Sequence, residues 1–152
     1  MPPTPATTPI GLRLARTARV VSQAFDRAMA AAGGSASTWQ VLLLVRSQNW
    51  GTQSEMAEQM GITGATLTHH LNSLEARGLV RRWREASNRR VQRVELTETG
   101  IELFQRLREV AVRHDQRLRS QLTVQETAQL AGLLDRLEGS VGSNAGAQAG
   151  PP

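Results

Sequence analysis

The chain has 152 residues, which suffice for one domain and an appendage but not for two independent catalytic domains. Apolar residues make up 39% and charged residues 20%, and no stretch approaches the roughly 18 apolar residues of a membrane span, so a transmembrane protein is excluded. The net charge is +5, cysteine is absent, and the N-terminal segment lacks the features of a secretory signal. We therefore expect a cytoplasmic protein without disulfides, thiolate metal sites or a thiol nucleophile.

The N-terminal half is predicted to be helical after a disordered tail at residues 1–9, which holds four prolines. Apolar residues recur at three- and four-residue spacing from Ile10 and predict a long amphipathic helix that ends at Gly33-Gly34. A second helix is expected to begin near Ser37, where the residues resemble a capping box. A third is expected after the capping box at Thr52, and a fourth, residues 64–77, after Thr63. The last two helices, joined through a glycine, have the outline of a helix-turn-helix.

The period of the apolar residues changes after Gly78. Leu79, Val80 and Trp83 predict one strand, and Val91, Val94 and Leu96, after a polar break, predict a second. Together they predict a β-hairpin with an arginine-rich tip. Thr97 is expected to cap another long helix, and Thr123 opens a last one through a third capping box. Residues 139–152, which are almost entirely Gly, Ala, Ser and Pro, are predicted to be a disordered tail.

The long helices at the two ends carry more apolar surface than one small helix-turn-helix unit can cover. Burial against a second copy of the chain is the favoured explanation. A bundle filled by a ligand is the competing one, and the sequence of a single chain does not separate them.

One face of the fourth helix has the composition of a DNA-reading surface. Leu67, Leu71 and Leu74 share one side and are expected in the core. The opposite side is small and polar, without an acid, and suits the major groove, where Asn can pair with adenine and Thr can contact a base edge or the thymine methyl. Thr63 and the first free N–H groups of the helix can bind a phosphate. The face consists of Ala65, Thr68, His69, Asn72 and Ala76.

The positive charge is concentrated in the predicted hairpin. All 18 basic residues are arginine, and residues 77–93 hold seven of them with Glu85 as the sole acid, a net charge of +6, which leaves −1 for the remaining residues. A solvated hairpin is the plain alternative to a polyanion partner, but arginine suits phosphate and the narrow minor groove. Arg77, Arg81, Arg82 and Arg84 are expected to divide between phosphates and acidic partners in the protein, while Arg89 and Arg90 lie at the tip.

Several ordered motifs resemble the MarR family (multiple antibiotic resistance regulators) of winged-helix transcription factors, across residues 10–138. The best-matching run is Leu74-Glu-Ala-Arg-Gly-Leu-Val80, which continues without a gap through the hairpin to Val94-Glu-Leu-Thr-Glu-Thr-Gly100. The family pattern is L-E-x-x-G-L-[VI]-x-R, a wing of D-x-R type, and V-x-L-T-x-x-G. Gly61-Ile-Thr63 and Trp39-Gln-Val-Leu42 also lie where the family has comparable residues.

The resemblance implies a mainly α fold with a small β-hairpin, a winged helix-turn-helix formed by four helices, the hairpin and two further helices. Residues 37–97 would form the DNA-binding lobe, and residues 10–36 and 98–138 would be dimerisation helices of an obligate homodimer. Arg90 matches the wing arginine that enters the minor groove. The chain departs from the family at His69, where Arg is frequent, and at Asn88, where an acidic residue is common.

The family often responds to small aromatic acids bound between the dimer helices and the DNA-binding lobe. Arg16, Trp39 and His70 are the candidate ligand-binding residues by this resemblance. Each also fits a structural role, with Trp39 in the core, His70 as a packing residue and Arg16 as a surface or interface charge. No metal site is expected.

We therefore expect a dimeric, sequence-specific transcriptional regulator, most simply a repressor, with helix 64–77 in the major groove and wing 84–91 in the minor groove of a palindromic operator. The alternatives are a non-specific architectural DNA-binding protein and a regulatory subunit that docks an acidic protein. No motif of an enzyme or of a cofactor site is present in the sequence. The expected DNA-contacting residues are Thr63, Ala65, Thr66, Thr68, His69, Asn72, Arg77, Arg84, Asn88, Arg89 and Arg90.

Overall fold

The computed structural model describes residues 8–47, 52–89 and 92–142. The elements are α1 (Ile10–Ala31), α2 (Ala36–Ser47), α3 (Gln53–Met60), α4 (Gly64–Ala76), β1 (Val80–Arg84), β2 (Gln92–Leu96), α5 (Glu98–Arg119) and α6 (Val124–Gly142). The two strands form an antiparallel hairpin. This order confirms the predicted mainly α, winged helix-turn-helix fold. The chain divides into two compact units, the first extending to Ala111 and the second beginning at Val112.

The core of the first unit is apolar throughout. Leu67, Leu71 and Leu74 of α4 are at most 3% exposed, as the helix pattern predicts. Fully burying one leucine or methionine side chain contributes about 1.5–3 kcal/mol, so this row is a main reason why α4 holds its place. The other fully or nearly fully buried side chains around it include Met29, Val41, Leu42, Met56 and Leu107.

The turn between α3 and α4 has the local chemistry that the sequence predicts. Thr52 forms a complete capping box with Glu55 at the start of α3. Gly61 ends α3 with a φ of 65°, a left-handed conformation that a residue with a Cβ adopts only at a cost. Thr63 then caps α4 by accepting a hydrogen bond from the Thr66 N–H at 3.1 Å. These caps fix where each helix of the helix-turn-helix begins or ends.

The hairpin alternates its side chains between two faces. Val80 pairs with Leu96 at one end and Arg84 with Gln92 at the other. Val80 is buried on the core side, whereas Arg81 and Trp83 point to the opposite face and are exposed. Val94, which faces Arg82 across the ladder, is also buried. One face of the wing therefore packs on the lobe, and the other meets solvent.

The second unit contains α6, which has no buried residue. Its capping box at Thr123 is present, because the Glu126 N–H donates to the Thr123 hydroxyl at 3.2 Å and the Thr123 N–H donates to the Glu126 carboxylate at 2.8 Å. Hydrogen bonds that the carboxylate accepts from Thr123, first from its backbone N–H and then from its side chain, lower the pKa of Glu126. The exposed side chains of α6 nevertheless include Leu130, Leu133, Leu134 and Leu137, between 37% and 51% exposed.

The structure corrects two predicted boundaries. Helix α2 is capped by Ser35 and not by Ser37. The Ser35 hydroxyl accepts a hydrogen bond from the Thr38 N–H at 3.0 Å. Asp26 of α1 also accepts from the Ala36 N–H at 3.2 Å, so a tertiary contact satisfies the start of α2 earlier than the local motif indicates. The last helix continues through residue 142, past the predicted end at residue 138, since no proline before Pro151 interrupts it.

No single helix within the described residues is long and apolar enough to cross a membrane. By length and composition, α1 and α2 pass that test only together, as a pair bent by 76°.

Candidate nucleic-acid interface

The outward face of α4 is exposed along its whole length. Ala65, Thr68, His69, Asn72 and Ala76 are all exposed, on the side opposite the buried leucines. The structure therefore places these residues on one surface, as the helical pattern predicts. His70 lies beside this face and is half-buried, with its ring 6.3 Å from the ring of His69.

Three threonines at the start of α4 are already oriented by hydrogen bonds within the helix. The hydroxyls of Thr63 and Thr66 lie 2.9 Å apart. The Thr68 hydroxyl donates to the Gly64 carbonyl oxygen at 2.9 Å. A hydroxyl that donates inward keeps its lone pairs for an outside donor, and the Thr68 methyl group remains beside it. Thr68 thus offers an acceptor and an apolar contact.

Asn72, at the centre of the exposed face, is bound to the wing. Arg82 of β1 donates to the Asn72 side-chain oxygen at 2.6 Å. The same guanidinium donates to Glu75, from Nε at 2.9 Å and from Nη2 at 2.5 Å. The Arg82 side chain is 15% exposed, so these contacts are largely shielded from water. They join the wing to the recognition helix.

Three arginines of the basic cluster form ion pairs with acids. Arg81 pairs with Glu95 across the hairpin, Arg82 with Glu75, and Arg93 with Glu85 at 2.5 Å. The prediction that some of these arginines meet acidic partners in the protein is confirmed. The pairs leave less positive charge for an outside partner than the sequence count suggests.

The other arginines of the cluster differ in their surroundings. Arg77 donates to the Gly33 carbonyl at 3.2 Å and Arg84 to the Arg89 carbonyl at 2.9 Å, so both keep their charge while they tie loops together. Arg89 and Asn88 are exposed in the wing loop. Within the residues that the structure describes, no salt bridge involves Arg77, Arg84 or Arg89. Arg90 lies outside the described residues.

The three candidate ligand-binding residues lie in different surroundings. Trp39 stacks on Phe104, with ring centroids 5.4 Å apart and an interplanar angle of 16°, and packs against the core. Arg16 lines a shallow depression formed with Thr8, Leu12, Arg13 and Thr17, which includes neither Trp39 nor His70. The described part of the chain contains no cluster of three or more His, Asp or Glu side chains suited to a metal ion.

Comparisons with known proteins agree with this geometry. The MarR family model matches residues 35–91. The putative transcriptional regulatory protein for the hcr operon of Thauera aromatica is 28% identical over 129 residues, which span 84% of this chain and 78% of that protein. The transcriptional repressor CouR, solved with a 23-mer DNA duplex, is 30% identical, with a TM-score of 0.75 over 85% of this chain and 92% of CouR.

This chain belongs to the MarR family. CouR of Rhodococcus jostii RHA1 has also been solved with p-coumaroyl-CoA, and that structure is 26% identical, with a TM-score of 0.73 over 86% of this chain and 92% of that one. The S. aureus MepR–DNA complex, 23% identical with a TM-score of 0.80 over 88% of this chain and 99% of MepR, shows the same fold. MarR-family proteins are transcription regulators and not enzymes.

The structure shows that two charged residues of the MarR-family motif L-E-x-x-G-L-V-x-R contact each other. Its acid is Glu75 and its last arginine is Arg82, and these two side chains form the ion pair between α4 and the wing. The sequence predicts for Arg82 either a phosphate or an acidic partner in the protein, and the structure shows that the partner is Glu75. Their joint appearance in one motif, seven positions apart across the turn between α4 and β1, was the signal that could have paired them.

Arg82 holds the pKa of the Glu75 carboxyl below its ordinary value of 4.5, chiefly by the side-chain hydrogen bond and then by charge. A carboxyl whose pKa is lowered by folding stabilises the folded protein when the pH is above the ordinary pKa. This contribution is lost as the pH falls through the lowered pKa of the folded state. We expect Glu75→Gln to be less stable than the unsubstituted protein at pH 7 and the difference to shrink below pH 4.5.

Urea titrations of both proteins across a pH series measure this. Glu102→Gln is the control, because it removes the same charge from an exposed position of α5. A difference for Glu75→Gln that stays constant from pH 7 to pH 3 would contradict the assignment of the ion pair.

Proposed function

We propose that this MarR-family protein is a homodimeric, sequence-specific DNA-binding repressor. The observation that carries the proposal is the exposed, acid-free face of α4, with the wing arginines beside it. The N-terminal part of α4 would enter the major groove, where Thr68, His69 and Asn72 reach base edges. Thr63 and Thr66, at the positive end of the helix dipole, would meet a phosphate. Ala65 leaves room for the groove wall to approach.

The relatives support the DNA-binding part of this proposal. CouR is named as a transcriptional repressor and was solved on a DNA duplex, and it shares its fold with nearly the whole of this chain. The hcr-operon protein is named as a transcriptional regulator. Because CouR is named as a repressor, this relative supports repression of transcription and not activation.

Arg89 and Arg90 are the proposed minor-groove residues of wing 84–91. Arg89 is exposed and forms no salt bridge to another described residue, so its charge is available to a phosphate or to a narrow groove. Arg84 would support the loop through the Arg89 carbonyl, Asn88 would contact the backbone beside it, and Arg77 would meet a phosphate at the end of α4.

The exposed apolar side chains support the homodimer. In α1, Ile10 and Leu12 are 67% and 64% exposed, and in α6 Leu133 is 51% exposed. Soluble monomers rarely leave many large apolar side chains of a helix open to water, and each of these helices does so within its own unit. We propose residues 10–36 and 98–138 as the dimerisation segments and residues 37–97 as the DNA-binding lobe. Two-fold symmetry would then select an inverted-repeat operator.

A small aromatic or anionic effector belongs to the same proposal. Its support is the p-coumaroyl-CoA complex of CouR and the basic depression at Arg13 and Arg16. The measurement is the release of a bound DNA duplex on addition of p-coumaroyl-CoA. We expect less release from the Arg16→Ala variant than from the unsubstituted protein.

The proposed function is tested by binding to duplexes enriched from a random library and to scrambled duplexes of the same composition, in a salt series. Neutralised phosphates make both affinities fall with salt. We expect the enriched duplex to stay at least about 10³-fold tighter at every salt concentration, which is the lower range of specific DNA binding. Equal affinities for the two duplexes throughout would instead identify a non-specific architectural protein.

A further inference from the structure

His69 is the polar residue of α4 that points most directly away from the core. An α-helix has about 3.6 residues per turn, so the direction opposite the buried row of Leu67, Leu71 and Leu74 follows from their positions. His69 lies within about 15° of that direction, whereas Asn72 lies about 45° from it. If the exposed face of α4 enters the major groove, His69 points toward the base edges at the floor of the groove.

The His69 side chain is available to an outside partner. Among the residues that the structure describes, no hydrogen bond or ion pair involves it, and its exposed ring lies beside that of His70. Its neighbours on the same face are already engaged, because the Asn72 oxygen accepts from Arg82 and the Thr68 hydroxyl donates to the Gly64 carbonyl. His69 can therefore meet DNA without breaking a contact within the described lobe.

The charged groups around α4 leave His69 unpaired within the described part of the chain. The elements that pack against α4 are α2, α3 and β1. Their charged side chains, none of which forms a hydrogen bond or an ion pair with His69, are Arg46, Glu55, Glu58, Arg81, Arg82 and Arg84. The acid of α4 itself, Glu75, is bound to Arg82. In the described lobe, no acid therefore forms an ion pair with the protonated ring before DNA is present.

A change of pH near neutrality acts mainly on the histidines of this chain. The chain has three histidines and no cysteine, and histidine is the side chain whose ordinary charge change falls between pH 5 and pH 8. Two of the three, His69 and His70, lie on α4. Arg82 holds the pKa of the Glu75 carboxyl below its ordinary value of 4.5, so the ion pair between α4 and the wing stays charged in this range.

We infer that His69 is a specificity-determining residue that takes up a proton on binding DNA and, as an imidazolium, donates a hydrogen bond to guanine. This inference rests on the proposed function. The phosphates that flank the groove create a negative potential, which favours the protonated ring over the neutral one. Proton uptake on binding means that the affinity for the operator rises as the pH falls.

The preference for guanine follows from the donors of the protonated ring. A neutral imidazole has one donor and one acceptor, so it can donate to guanine or accept from the adenine N6 amino group. The imidazolium has two donors and no acceptor. Guanine presents N7 and O6 as acceptors with no donor in the major groove, whereas adenine places an amino group beside N7. Discrimination of guanine against adenine should therefore increase as the pH falls.

The first test measures binding of the full chain to the enriched duplex at pH 6, 7 and 8, with the ionic strength held constant because salt alone changes the affinity. We expect the affinity to rise at least roughly 10-fold from pH 8 to pH 6, since uptake of one proton can change it by up to about tenfold per pH unit. His69→Gln, which keeps a polar side chain that does not titrate, should lose this rise.

Two further variants separate His69 from other causes of pH dependence. His70→Gln removes the adjacent, half-buried histidine and should retain the rise in affinity between pH 8 and pH 6. His69→Arg carries a permanent charge, so its affinity should not change over this range. An affinity of the unsubstituted protein that does not rise as the pH falls, or that rises equally in His69→Gln, would overturn the inference. Loss of the rise in His70→Gln alone would overturn the assignment to His69.

The second test concerns the base. The contacted position is the one at which His69→Gln relaxes base preference. There, replacing guanine with adenine should weaken binding of the unsubstituted protein roughly 10-fold at pH 6, the value of one hydrogen bond to a charged group, and less than about threefold at pH 8. His69→Arg should keep its guanine preference at both pH values. The same ratio for the unsubstituted protein at both pH values, or no position at which His69→Gln relaxes base preference, would overturn the guanine contact.

Failure of the inference and failure of the proposed function give different results. Specific binding of the enriched duplex without a dependence on His69 and pH would overturn the inference alone. If the unsubstituted protein binds no duplex specifically at any of the three pH values, the proposed function itself fails, and the inference with it.

Discussion

Replacing Gly100 with alanine is expected to destabilise the first unit by about 3 kcal/mol or more. Gly100 lies in the first turn of α5, and a Cβ built there would overlap the Leu79 carbonyl oxygen and lie 2.9 Å from the carbonyl carbon. The obstacle is backbone, so rotation of a side chain cannot relieve it. The same carbonyl accepts from the Thr97 N–H at 3.1 Å, which holds the start of α5 against the start of the wing.

The measurement is chemical denaturation of the free protein, with Gly64→Ala as the control. Gly64 is also near the start of a helix, but nothing lies within 4 Å of a Cβ at that position. Alanine there should be neutral or stabilising by up to roughly 1 kcal/mol, because it reduces the entropy of the unfolded chain. A similar small effect at both glycines would contradict the close contact between α5 and residue 79.

Replacing Leu133 with glutamate should abolish the proposed dimer and with it high-affinity operator binding. Leu133 is 51% exposed on α6, a helix without a buried residue. If this surface is an isologous interface, each substitution buries two unpaired carboxylates, at a cost of several kcal/mol each. We expect the dimer dissociation constant to rise at least roughly 100-fold, which corresponds to about 2.7 kcal/mol.

Sedimentation velocity measures the oligomeric state across a concentration series. The matched control is Leu43→Glu, the same change at a 42% exposed leucine of α2 outside the proposed dimer helices. It should leave the dimer intact. A dimer that survives Leu133→Glu, or a protein that is monomeric without any substitution, would remove α6 from the proposed interface.

Local signals account for much of the agreement between sequence and structure. The capping residues Thr52, Thr63 and Thr123 act within three or four residues, so their motifs contain the whole interaction. The buried row of leucines in α4 follows from helical period alone. The hairpin follows from a change of period, and its register explains why Arg81 meets Glu95.

Contacts between distant segments explain the differences. The start of α2 combines the local cap of Ser35 with a hydrogen bond to Asp26, ten residues earlier in α1, and no local pattern contains this second contact. The charge count for residues 77–93 omitted Glu75 and Glu95, which lie just outside that window and yet neutralise Arg82 and Arg81 in the fold. A linear window measures composition, whereas the field at a surface depends on which charges are paired.

The candidate site follows the same division. The exposed face of α4 was predictable from the helical wheel, because exposure is set by the buried leucines opposite it. The hydrogen bond that Asn72 accepts from Arg82 was not predictable. Arg82 belongs to the next element, β1, and approaches Asn72 only in the folded lobe. The assignment of Arg90 to the minor groove stays a prediction from family resemblance.

The most direct test of a dimeric, sequence-specific repressor is selection of the purified full chain on a library of random duplexes, followed by sequencing of the bound DNA. We predict an enriched inverted repeat whose half-site centres lie about one helical turn apart, roughly 34–36 Å, because each α4 of a two-fold dimer would read one half-site. Enrichment of a single unpaired half-site, or no enrichment over the starting library, would contradict the account.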